Sequence, residues 1–174
     1  MHRTLAALAT LAVALLMTAH VQPQDMPKVE WTMDLAKAKI PDSPVSGKVH
    51  GKNFKIVFAA HEKGSLIFRI AQGKEAPEES IDINFFNTLK PGDTLEGRKF
   101  EFSPEKFNPK DPGVIITSLQ PKMDLPKKEI VIPGEYALKL EFGKRKNGVI
   151  PGKIFFANKD KATYVAGKFE LKTE

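Results

Sequence analysis

The residue pattern predicts an all-β domain, an antiparallel two-sheet sandwich of about nine or ten strands with a barrel-like closure as the alternative. Three observations carry this. Apolar residues recur with a period of two in one short segment after another, as half-buried strands require. Turn-forming Gly, Pro, Asn and Asp separate those segments at short intervals. No stretch after the first two dozen residues keeps a 3.6-residue period. Two sheets rather than one follow from the strand count, because a sheet with one wet face must cover the other.

The segment 20–45 is punctuated by Pro23, Pro27, Pro41 and Pro44. Within it Val29–Leu35 alternates apolar and polar and is a candidate first strand. Asp34–Lys39 is the best helical candidate, short enough to be only a turn. The β domain then runs over 46–174. Phe54, Ile56 and Phe58 fall on one face of a strand. His61–Gly64 makes a turn, and Leu66, Phe68 and Ile70 return on the same face, which together read as a β-hairpin. Ile81–Phe85 alternates again. Lys90-Pro91-Gly92-Asp93 places proline and glycine where a tight reversal needs them. Lys99–Phe102 is a short strand.

From Ser103 to Gly134 six prolines forbid a long element, leaving short strands at Val114–Thr117 and Ile130–Ile132. Tyr136, Leu138, Leu140 and Phe142 then point one way along a clean strand. Lys144–Gly148 is a polar turn, Lys153–Phe156 a strand and Asn158–Lys161 a loop. Val165, Gly167, Phe169 and Leu171 share one face of the last strand, where Gly167 signals a bulge or a close backbone approach.

Residues 1–19 have the order of a secretory signal peptide: Arg3, an apolar run from Leu5 to Met17 broken by Thr10, and small Ala19. The run is shorter than the roughly 20 apolar residues of a bilayer span. It is read as cleaved, leaving roughly 150 residues, the size of one domain, with no transmembrane segment in the mature chain. Cysteine is absent, which excludes disulfides, thiolate chemistry and a lipid-modified cysteine. A secreted chain without disulfides points to a bacterial envelope or periplasm. The net charge of +6 comes from 27 Lys plus Arg against 21 Asp plus Glu, and only Arg3, Arg69, Arg98 and Arg145 are arginine. Specific nucleic-acid recognition leans on arginine, so none is expected. Attraction to acidic polysaccharide or another envelope component fits the lysine surface.

Three short motifs occur together: Gly47-Lys48-Val49-His50-Gly51 with Phe54, Tyr136 to Gly143, and Gly152-Lys153-Ile154 with Val165 to Phe169. In them the chain is similar, over most of residues 45 to 172, to a group of uncharacterised secreted proteins of environmental Gram-negative bacteria. These carry a signal peptide and one β domain. The resemblance implies compartment and fold, and no activity.

No catalytic residue, cofactor or metal site is expected. His50 and His61 are read as exposed turn residues, and neither HxH nor HExxH spacing occurs. No Gly-x-Ser-x-Gly elbow, Ser-x-x-Lys with its companion motifs or Gly-rich phosphate loop is present. Ser65 reads as turn chemistry, and Glu75, Glu78, Glu79 and Asp82 as a solvated carboxylate group. Phe85-Phe86 and Phe155-Phe156 each send one ring to the outer face unless a loop covers it. Phe86 and Phe155 are therefore the candidate ligand-binding residues, with the Pro-rich stretch 103–134 as their expected cover. The sequence thus predicts a secreted, non-enzymatic β module with a structural or binding role in the envelope. A carbohydrate or polyanion binder is the alternative, and a hydrolase without a motif ranks behind both.

Overall fold

The computed structural model describes residues 28–61, 66–73, 79–118 and 126–172. The expected signal peptide, the turn at 62–65 with Ser65, and Glu75 and Glu78 lie outside them. Among the described residues eleven strands form: β1 (Ser46–Val49), β2 (Lys52–Lys55), β3 (Phe58–His61), β4 (Ile67–Ala71), β5 (Ser80–Asn84), β6 (Lys99–Phe102), β7 (Gly113–Ser118), β8 (Lys127–Val131), β9 (Tyr136–Phe142), β10 (Val149–Asn158) and β11 (Tyr164–Lys172). The one helical element among the described residues is a 3-10 turn at Pro104–Lys106. The all-β class is as the sequence predicts.

The strands do not separate into two sheets. They join in one, ordered β6-β9-β10-β11-β3-β4-β5-β7-β8, with β1 pairing both β11 and β2. This mixed sheet curls into a half-barrel. The physical reason lies in β11, which is long enough to serve two partners. Its first residues pair with β1 (Ala166 opposite Ser46), and Leu171 pairs with Ala59 of β3 in parallel. One strand therefore bridges what would otherwise be two layers. The half-barrel faces still meet across an apolar interior, which is what the period of two demanded.

That interior holds the predicted inward sets: Phe68 and Ile70, Ile81 and Ile83, Tyr136, Leu138, Leu140 and Phe142, and Val165, Phe169 and Leu171. Its centre is aromatic. Phe68 meets Phe142 edge-on at 5.1 Å and Phe169 at 4.9 Å, and Phe85 meets Phe100 at 4.7 Å. Such ring pairs contribute about 0.5–1.5 kcal/mol each beyond their burial.

The expected hairpin exists as β3 and β4, with Ala59 opposite Ile70. The expected single face of Phe54, Ile56 and Phe58 does not. The strand breaks at Ile56-Val57, where the Ile56 amide donates to Val45 O and the Val57 amide to Ala71 O. This change of partner flips the alternation, so Ala59 rather than Phe58 packs on the core.

A second, smaller core lies on the outer face. Ala137, Phe155, Ala157 and Ala166 form a flat apolar patch, and Val29, Trp31, Met33, Leu35, Ala38 and Ile40 lie over it. Residues 28–40 are not the first strand that their alternation predicts. They cross the face of β9, β10 and β11 instead of running beside an edge, so no ladder is available to them. Within the expected helical stretch Asp34–Lys39 only a turn at Leu35–Lys37 forms, where the Ala36 amide donates to Asp34 Oδ1 at 2.9 Å. This strap is pinned at its start by Trp31 Nε1 donating to Asn158 O at 2.8 Å. At its end the Lys168 amide donates to Ser43 O and the Val45 amide to Lys168 O. Gly167 permits that close approach, since a Cβ there would stand 2.7 Å from Val45 N.

Candidate functional site

An open groove of about 1160 Å³ lies where the strap ends. Asp42 to Pro44, the link Ile56 to Ala59, and residues of β9, β10 and β11 line it, the core rings of Phe142 and Phe169 among them. Strand register builds its charged wall. Lys99 of β6 stands opposite Glu141 of β9. Glu141 stands opposite Lys153 of β10, and Lys153 opposite Lys168 of β11. Alternation sends all four side chains to the outer face. Lys99 reaches Glu141 at 3.4 Å. Lys168 pairs with Asp42. The Lys168 ammonium, with Lys153 adding a smaller pull, holds the Asp42 carboxyl below the usual carboxylate range. Lys172 and Glu170 extend the wall, and Val57, Phe58 and Pro151 supply apolar surface.

Lys153 and Lys168 are like charges directly opposite on neighbouring strands, an arrangement that costs stability in a sheet unless an anion sits between them. Asp42 supplies one such anion from the strap. The wall can receive further carboxylates, since lysine ammonium groups on flexible stems adapt to their positions.

A second polar cluster closes one end of the half-barrel. Glu129 of β8 points inward. Its Oε2 lies 2.7 Å from His50 Nε2, and its Oε1 accepts from Asn158 Nδ2 at 2.9 Å. The His50 amide donates to Thr163 Oγ1 at 3.0 Å. These side chains join β8 to the β1–β2 turn and to the end of β10, where no backbone ladder reaches. Both carboxylate oxygens of Glu129 are engaged, so the cluster acts as a clasp. His50 Nδ1 is buried without a hydrogen-bond partner.

His50 occupies the expected turn, with φ of 48°, but its side chain is only 16% exposed, not solvated. His61 ends β3 and is half-buried. Of the expected carboxylate group, Glu79 and Asp82 are described, each with a basic partner of its own. Asp82 is held by Arg69 through two 2.7 Å hydrogen bonds, and Glu79 lies 3.7 Å from Lys52. Among the described residues no three His, Asp or Glu side chains converge as metal ligands.

Phe86 and Phe155 form no shared platform. Phe86 is 60% exposed in the turn after β5, whereas Phe155 is fully buried. Phe155 does face outward from the sheet, and the strap covers it. Among the described residues the cover thus comes from the N-terminal segment and not from the Pro-rich stretch. The lysine row escaped the sequence reading because its members lie on three strands, β6, β10 and β11. Alternation marks each as outward-facing, but only register makes them neighbours. No protein-family model, curated protein or solved structure matches this chain.

Proposed function

We propose that this chain is an exported, non-catalytic binding module of the bacterial envelope, whose groove takes an extended acidic polymer such as a uronate-containing polysaccharide. The observation that carries this is the Lys153–Lys168 cross-strand pair inside the groove. Two ammonium groups at sheet spacing, with Asp42 and Glu141 beside them, form a wall that an added carboxylate stabilises. The open shape suits a chain that enters and leaves along the surface rather than a small enclosed molecule. Export is supported by residues 1–19, whose charge and apolar run have the signal-peptide order. The described residues contain no helix long and apolar enough to cross a membrane.

Calorimetric titration with polygalacturonate tests the reading, with neutral dextran as the blank. Binding to the acidic polymer, suppressed by moderate salt and weakened severalfold by Lys153→Glu, is expected. Lys110→Glu, an exposed change outside the groove, separates the groove from the bulk charge of +6. Equal loss in the two variants would reduce the effect to net charge alone.

A further inference from the structure

Given the acidic-polymer reading of the groove, on which this rests, we infer that Asp42 is a built-in competitor whose carboxylate holds the seat of a ligand carboxylate on Lys168 and is displaced when the polymer binds. Other aspartates of the chain serve their own turns. Asp34, Asp93, Asp111 and Asp160 accept the backbone amides of Ala36, Lys90, Asn108 and Ala162, the usual local use of this side chain. Asp42 is engaged differently. Its carboxylate pairs with Lys168 inside the groove, and Lys153, opposite Lys168 on β10, also acts on it. Glu141, the next carboxylate along this row, pairs with Lys99 instead. A carboxylate thus already stands where the two cross-strand ammonium groups both attract it.

The fold delivers this carboxylate to the lysines. The Lys168 amide donates to Ser43 O and the Val45 amide to Lys168 O, so the backbone just after Asp42 is tied to β11 at Lys168 itself. That tether keeps the Asp42 side chain at high effective concentration beside the ammonium. The tie is made by the backbone, while the Asp42 side chain is 81% exposed. It can swing into solvent by rotation about its own bonds, with the strap left in place. An exposed pair of this kind adds little to stability. It does lower the affinity of any ligand that needs Lys168, in proportion to the share of molecules in which the seat is taken. A polymer with carboxylates on successive units can engage Lys153 first and take Lys168 as Asp42 leaves.

Calorimetric titration of variants with polygalacturonate at fixed salt tests this. Asp42→Asn and Asp42→Ser remove the competing charge, and each should bind the polymer severalfold more tightly than wild type at an unchanged melting temperature. Asp42→Glu keeps a carboxylate on the strap and should stay near the wild-type affinity. Glu105→Gln, the same change of charge on an exposed residue outside the groove, should stay there too. In a Lys168→Met background Asp42→Asn should bring no gain, because the competition acts through Lys168. If wild type binds and Asp42→Asn binds no better, or gains only what Glu105→Gln gains, the competitor is overturned and the polymer reading stands. Weaker binding by Asp42→Asn, or a gain that persists without Lys168, overturns it as well. If only Asp42→Asn binds, the competitor is upheld and the polymer reading falls for the native chain. If neither binds, both fall.

Discussion

At the scale of single residues, alternation separates side chains that hold the fold from neighbours that do not. Leu140 is fully buried in the main core, while adjacent Lys139 faces outward, 3.6 Å from Glu101. Leu140→Ala should cost about 2–5 kcal/mol in urea unfolding. Lys139→Ala should stay within about 0.5 kcal/mol, and equal effects would contradict the alternation. Tyr136 tests the interior in another way. Its hydroxyl donates to Pro112 O at 2.6 Å, and burial, with the nearby Asp111 charge, raises its pKa well above the ordinary 10.0. The unfolded chain therefore releases this proton first as pH rises. The stability Tyr136 provides is complete below pH 10.0 and declines above it. Tyr136→Phe should lose about 1–3 kcal/mol at neutral pH and show a flatter decline above pH 10.0. Parallel stability curves for the two proteins would contradict the assignment.

At the scale of elements, the sequence showed strands well and their partners poorly. Lys99–Phe102 and the start of the Tyr136 strand appear where the residues place them, because alternation is a local signal. Val29–Leu35 alternates just as clearly and makes no strand. Its apolar side chains press onto a sheet face, and a period of two cannot distinguish a face from an edge. The same limit hid the cover of Phe155, since which segment lies over an outward ring is set by long-range packing. Trimming the chain to begin at Pro41 removes that cover from Phe155, Ala157 and Ala137. The trimmed protein should bind a hydrophobic dye strongly and unfold at a lower temperature. Unchanged dye binding and melting would show that the strap does not shield the patch.

At the scale of the whole molecule, an all-β spectrum with little helix is expected from the half-barrel. The merging of two expected sheets into one was not legible, because it depends on β11 dividing its edge between β1 and β3. The lysine wall was hidden for the same reason. Lys153 and Lys168 are 15 positions apart in sequence and meet only through the β10–β11 register. The clasp of His50 with Glu129 spans 79 positions, and no motif spacing signals it. Export makes its own prediction. Mass spectrometry of the mature protein should find a start between His20 and Asp25, and intact Met1 on membrane-bound protein would indicate an anchor instead.

The central claim is that the groove, not the overall charge, binds an acidic polymer. NMR chemical-shift mapping with short oligogalacturonates tests it most directly, because it locates contact residue by residue. The account predicts shifts confined to the amides around Asp42, Lys153, Lys168 and Lys172, saturating with ligand and absent in Lys153→Glu. Shifts spread over lysines on every face, surviving unchanged in Lys153→Glu, would contradict it.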